Sequence, residues 1–313
     1  MVQTALALSD DQAEAWDAVS DLLGEAGVDM LGGATMPLNE DPKGSVLAIL
    51  GKAGSGKTLL LAELFKSLRE AGVDIVSGDY DGKKRRDRRT LAILAPTNKA
   101  ASVLRNRGVP ATTIHRILYT PMYDPEYEKI AEWLAGQGDK PEIEGLTEVA
   151  LDRAFASYQV NSSVPAALAA AGLRGSDFIT GWKRREDPLD IGFVDESSML
   201  DAKQFEDLQD IFPTLVLFGD PAQLPPVKAE GGKMVFDTLP QSRQLVLSRV
   251  HRQTADNPIL DLAHALADPQ VDFYAFEQLI AEAAAKDDRV VMAQRVESDL
   301  MARSPCLVWR NAT

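Results

Sequence analysis

The chain has 313 residues, 45% hydrophobic and 26% charged, enough for one large domain or two smaller ones with a real core. No apolar run approaches the ~18 residues that span a membrane, MVQTALALSDDQ turns acidic too soon for a secretory signal, and one cysteine, Cys306, excludes an internal disulfide framework and fits a reducing cytoplasm. A net charge of −14 argues against a general nucleic-acid coat, yet screening over about 8–10 Å leaves room for a local basic groove.

The spacing of Ala13, Trp16, Val19, Leu22 and Leu23 predicts an amphipathic helix over 10–30. A loop follows over 32–42, then a short apolar strand at 46–50. GKAGSGKT, Gly51 to Thr58, satisfies G-x-x-x-x-G-K-[ST] between that strand and a helix over 57–71, the context its mechanism needs. Backbone N–H groups of Gly54 to Lys57 can wrap a phosphate at the helix N-terminus, Lys57 can reach β- and γ-phosphates, and Thr58 can ligate Mg²⁺. Residues 73–76 and 91–95 read as two more strands, separated by the basic excursion GDYDGKKRRDRR. That run either grips a nucleic-acid backbone or is a solvated loop diluted by Asp79, Asp81 and Asp87.

APTNKAA follows the second of these strands and starts a helix over 98–107. Free N–H groups with Thr97, Asn98 and Lys99 can hold a phosphate there, or Thr97 or Asn98 can be a simple N-cap. His115 in TTIHRIL lies beside Ile114 and Ile117, where a packed histidine is an equal reading. Residues 118–190 change character, with Pro121, Pro125, Pro141, Pro165 and Pro188, short helical patterns and few strand signals, and read as an insertion. Strands return at 191–194 and 215–218 with a helix over 202–210 between them, and this alternation predicts a parallel α/β sheet. The first of these strands ends on Asp195-Glu196, at the sheet edge where ligands sit. Asp195 suits an Mg²⁺ shell and Glu196 suits the polarisation of an attacking water, unless the pair is only a solvated strand end. The second ends in GDPAQLPPV, where Pro221, Pro225 and Pro226 stiffen the turn, so that Gln223 can donate to a phosphate oxygen and accept from water, or simply expose its amide. Arg252 in LSRVHRQ can neutralise transition-state charge or form a salt bridge. A last segment is helical near 257–267, with strand-like RVVMA and CLVW.

In this order, DDQAEA, GKAGSGKT, APTNKAA, TTIHRIL, VDESSML, GDPAQLPPV and VHRQ resemble the superfamily 1 DNA helicases, most closely the 5′→3′ group of Dda-like, RecD-like and Pif1-like enzymes, and they cover most of 10–253. The resemblance implies an α/β fold: a RecA-like P-loop NTPase domain over 1–117 and 191–246, with a parallel sheet flanked by helices. It also implies a mostly helical inserted subdomain over 118–190, with the strand-separating pin near FITGWKRRED, and an incomplete second RecA-like domain over 247–313. Gln12 is then the adenine reader, and Gly51, Ala53, Gly54, Ser55, Gly56, Lys57, Thr58, Asp195 and Glu196 form the ATP and Mg²⁺ site. Gln223 couples hydrolysis to motion, Arg252 is an arginine finger, and Pro96, Thr97, Asn98, Lys99 and His115 touch single-stranded DNA. A monomeric cytoplasmic motor is expected, with partners in replication, recombination or repair. Too few residues follow Gln253 for a second domain of ~100–200, so the expectation is an N-terminal portion of such an enzyme. The alternatives are a nucleotide-dependent DNA-binding or regulatory module that does not unwind, and a small-molecule kinase, against which Asp195-Glu196 and the Gln223 turn argue.

Overall fold

Strands with no polar positions need cover on both faces, and three of the chain's strands are of this kind: TLAILA, IGFV and TLVLFG are buried at every residue. The computed structural model describes residues 8–30, 32, 34–35, 44–76, 89–143, 147–174, 178–226, 232–248, 257–266, 268, 270–292 and 299. The chain divides into two units, Met1–Val250 and His251–Thr313.

The first unit opens with α1 (Asp10–Glu25) and two short antiparallel strands, β1 (Val28–Asp29) and β2 (Ala34–Thr35), the second inside the segment expected to be loop. Then come β3 (Ser45–Gly51), α2 (Lys57–Glu70), β4 (Asp74–Val76), β5 (Thr90–Ala95), α3 (Asn98–Arg105), β6 (Thr112–Thr113) and α4 (Ile114–Leu118). An insertion holds β7 (Tyr119–Tyr123), α5 (Pro125–Leu134), α6 (Glu148–Asn161), α7 (Val164–Ala170) and β8 (Ile179–Arg184). The chain returns through β9 (Ile191–Val194), α8 (Ala202–Ile211), β10 (Thr214–Gly219) and β11 (Gln244–Leu247).

The main sheet has the order β11-β3-β10-β9-β5-β4, with β6 beside β5, and every pairing is parallel. Its strands alternate between two cores, as period-2 side chains must. Leu47, Ile49, Leu91, Ile93, Phe193, Val216 and Phe218 face α1, α2 and α3, while Ala48, Leu50, Ala92, Leu94, Val194, Leu215 and Leu217 face α4, α8 and Phe236. The expected parallel sheet flanked by helices is thus formed. On α1 the innermost positions are Gln12, Ala15, Val19, Leu22 and Leu23, with Ala13 and Trp16 only half-buried, and the helix stops at Glu25 rather than reaching residue 30.

In the insertion, β7 and β8 pair antiparallel, from Tyr119 opposite Arg184 to Tyr123 opposite Ile179. Around them α5, α6 and α7 close on Ile130, Leu134, Ile143, Ala154, Ala167 and Leu168. Two prolines that marked the segment as irregular are helix starts: Pro125 follows its cap Asp124, and Pro165 follows Ser163 by two residues. The second unit contains α9 (Pro258–Leu266) and α10 (Phe273–Lys286). Of the strand expected in RVVMA, residues 289–292 are described and form a turn and coil; CLVW lies outside the described residues. Among the described residues no helix is long and apolar enough to cross a membrane.

Candidate active site

Because the sheet is parallel, all its strands end at one edge. Gly219 lies opposite Leu50, Leu247 opposite Gly51, and both Leu217 and Leu94 pair with Val194. The loops after β3, β9, β10 and β5 therefore converge, bringing Gly51–Thr58, Asp195-Glu196, Asp220–Gln223 and Pro96–Lys99 to the same rim.

The loop after β3 turns through Gly54 and Gly56 at φ 91 and 88, a region open to glycine and strained for other residues. Gly56 caps α2 without a side-chain hydrogen bond, leaving the first-turn N–H groups to an outside acceptor. A Cβ at Gly51 would strike the Ser55 side chain and lie 3.1 Å from the Leu247 carbonyl oxygen. Ala53 is exposed, Thr58 is half-buried, and the buried Ser55 Oγ has no hydrogen-bond partner. Lys57 Nζ donates to the Gly51 carbonyl and, at 3.2 Å, to that of Lys52. Burial pulls the Lys57 ammonium below its ordinary pKa, against the opposing pull of Asp220, Glu196 and Asp195. The four charges thus lie within electrostatic reach of each other.

Asp195 is 8% exposed, and its N–H donates to Leu94 O at 2.8 Å. Burial, and then the neighbouring Glu196 charge, push its carboxyl up to about 6. Glu196 sits at φ 54, ψ 39, in the left-handed region, which turns its side chain away from the direction a continued strand would give. Its carboxylate Oε2 accepts from Gln223 Nε2 at 3.0 Å, while Gln223 Oε1 accepts from Ser198 Oγ at 2.8 Å. Both polar ends of the Gln223 amide are therefore held by the loop after β9. The turn that presents it is closed by Asp220, which accepts from the Ala222 N–H through Oδ1 and from the Gln223 N–H through its carbonyl. Stiffness is thus supplied by an Asp-closed turn as well as by prolines. Ser198 escaped the sequence reading; the hydroxyls next to the acidic pair in VDESS were the available signal. Ser197 Oγ is buried without a partner.

Gln12 does two things. As the third residue of α1 it completes a capping box, its Oε1 accepting from the Ser9 N–H at 3.1 Å. Its Nε2 is buried and has no partner. Asp11 accepts from Ser248 Oγ at 3.4 Å, just past the end of β11, so this first turn lies at the same rim. On the next loop Thr97, Asn98 and Lys99 are exposed and Pro96 is half-buried; Thr97 Oγ1 accepts from the Ala100 N–H at 3.1 Å as the N-cap of α3. His115 is exposed, with its ring 4.2 Å from Trp182 in an edge-on arrangement and 4.9 Å from Tyr119. Arg252 and most of KKRRDRR lie outside the described residues. Arg89, the last of that run, sits at the opposite end of β5 and pairs with the buried Asp190 at 3.4 Å.

Among the described residues no group of three or more His, Cys, Asp or Glu side chains is placed to hold a metal ion. Mg²⁺ does not need one, since it takes one or two protein ligands and fills its octahedron with water and phosphate oxygens. A hydroxyl at Thr58 and a carboxylate at Asp195 fit that requirement.

A family model described as an AAA domain matches residues 41–291. The chain belongs to this AAA-domain family. No curated protein matches the chain. Among solved structures it is similar to the Pif1 helicase from Candida albicans, at 19% identity and TM-score 0.42, covering 89% of this chain and 47% of that one. It is also similar to the Pif1 helicase from Bacteroides in complex with ADP-AlF3 and ssDNA, at 15% identity and TM-score 0.41, covering 89% and 50%. The chain spans about half the length of these solved structures.

Proposed function

We propose that the chain is the ATP-hydrolysing part of a superfamily 1 DNA helicase that moves along single-stranded DNA. The observation that carries this reading is the Gln223–Glu196 contact, set between the P-loop and the end of β10. It joins a candidate base for water to a stiff amide on the neighbouring loop, an arrangement suited to hydrolysis and to sensing its outcome. The N–H groups of Gly54 to Lys57 hold the phosphates, and Lys57 exchanges its carbonyl partners for β- and γ-phosphate oxygens. Thr58 and Asp195 hold Mg²⁺, which when bound neutralises charge on those oxygens. Glu196 takes a proton from the water that attacks the γ-phosphorus, and ADP departs with the bridging oxygen's electrons. Arg252 adds positive charge to the transition state, and the free Gln12 Nε2 donates to the adenine. Pro96, Thr97, Asn98, Lys99 and His115 face the DNA strand, with the β7/β8 pair carrying the separating pin. The domain assignment follows the same reading: 1–117 with 191–246, the insertion 118–190, and the start of a second RecA-like domain from 247. Such an enzyme works as a cytoplasmic monomer in replication, recombination or repair.

Lys57→Ala should abolish ATP binding in a fluorescent-nucleotide titration; unchanged affinity sinks the reading. Phosphate release stimulated by oligo(dT) separates a motor from a regulatory module, because ATP and DNA binding without any release would favour the module.

A further inference from the structure

A charged side chain is packed between the insertion and the parallel sheet. Asp207 is 3% exposed on α8, among Phe205, Leu208 and Ile211 on the helix's buried face. Its carboxylate accepts from Tyr119 Oη of β7 at 2.6 Å and from Arg184 Nη1 of β8 at 2.8 Å, with Lys203 3.8 Å away. Arg184 also donates to Asp210 at 2.7 Å. Burial alone would raise the Asp207 pKa, but the bonds from Tyr119 and Arg184 outweigh it and hold the group ionised. Only the Asp207 end of this pair is buried, the Arg184 side chain being 45% exposed, so the pair adds little stability; the best-attested use of a buried charged group is to fix one arrangement among several.

The arrangement fixed here is that of the β7/β8 pair. No residue of either strand is fully buried, and besides Asp207 the pair is tied to the sheet by Tyr119 packing on its second core and by Arg185, whose Nε donates to the Ile117 carbonyl at 2.9 Å. Both strands reach α8 through Asp207. In turn, α8 is the covalent link between the two halves of the candidate site: the chain runs from Glu196 through Asp201, the N-cap of α8, and from Ile211 into β10 and Gln223. α8 is thus joined to Glu196 through the short segment ending at Asp201, and to Gln223 through the length of β10. On the face that Tyr119 and Arg184 share, β8 also carries Trp182, 47% exposed and edge-on to the exposed His115 ring. A base can stack on such a pair of exposed rings.

We propose that Asp207 is a positioning residue, a polar latch through which a single strand of nucleic acid on the β7/β8 face alters the Glu196–Gln223 pair. The inference rests on the proposed function for its two ligands. Linkage makes it reciprocal: if DNA changes nucleotide affinity by some factor, nucleotide changes DNA affinity by the same factor.

The test uses the full chain with labelled oligo(dT) and a fluorescent ADP analogue with Mg²⁺, each titrated alone and with the other saturating. The wild type should show coupling of about fivefold or more. In Asp207→Asn and in Tyr119→Phe each ligand alone should bind within about twofold of wild type while the coupling factor falls to about one, the difference a purely structural role would not produce. Tyr119→Phe removes a single hydroxyl and keeps the test valid if Asp207→Asn does not fold. Coupling retained in Tyr119→Phe, or single-ligand affinities lost with coupling unchanged, overturns the latch. Wild type that binds both ligands with no coupling overturns the latch and leaves the functional reading standing; wild type that binds neither removes both.

Discussion

Glu196 carries a side chain in a backbone region where a Cβ costs about 1–2 kcal/mol. The strain persists because Gln223 fastens the carboxylate. Glu196→Gly should relieve it and Glu196→Ala should not, so urea denaturation should find the glycine variant more stable by about 1 kcal/mol, with hydrolysis lost in both. Equal stabilities would mean that the loop relaxes without glycine. Asp195 beside it poses a second conflict. Its folded pKa of about 6 lies above the ~3.9 of a free aspartate, so the folded chain favours the protonated form. That contribution is complete below pH ~4 and is lost as pH rises through about 6. In metal-free buffer, Asp195→Asn should therefore exceed wild type in stability by roughly 2 kcal/mol at pH 8 and match it near pH 4. A constant difference across that range would remove burial of the charge as the cause.

At the scale of elements, α3 shows what a single N-cap residue contributes. Thr97 Oγ1 is engaged by the Ala100 N–H, so Thr97→Ala should cost about 1 kcal/mol through the lost cap, and Thr97→Ser should restore it. If serine leaves oligo(dT) affinity intact while alanine lowers both stability and affinity, the cap is what the proposed DNA contact needs from this position. Elements were legible in the sequence where local pattern and environment agreed. The buried strands β5, β9 and β10 appear as apolar runs, and the P-loop announces itself because strand, turn and helix must be consecutive for it to work. The β7/β8 pair was hidden, since Pro121 and Gly181 interrupt strands whose partners lie far apart in the chain with no shared turn. RVVMA misled in the other direction: β-branched residues favour a pleated, half-buried surface, and residues 290–292 pair with no strand among the described residues. For the same reason Lys57, Asp195 and Glu196 could be placed from motif spacing, while Ser198 and Asp207 could not. Their roles depend on partners that only the tertiary structure supplies, Gln223 for one, and Tyr119 and Arg184 for the other.

For the molecule as a whole, the core residues decide what folds. Among the described residues, the three buried clusters draw all their members from between Ala15 and Leu247, inside the first unit. In the second unit α10 buries no residue, and a groove of about 570 Å³ opens between it and α9, with Leu262, Ala265, Leu279 and Ala283 in its walls. Two helices with so little buried area cannot supply a cooperative core on the scale of the first unit's. A chain ending at Val250 should therefore melt at the same temperature as the full chain, in one transition, by circular dichroism. The P-loop, Asp195, Glu196 and Gln223 all remain in it, so nucleotide affinity should also be retained. Arg252 does not remain, and if its charge acts in the transition state the shortened chain should bind ATP normally and hydrolyse it slower by about 10³-fold or more. Restoring residues 251–313 with Arg252→Ala should leave the rate at that low level. Recovery of hydrolysis in that variant would assign the missing contribution to some other residue of the second unit.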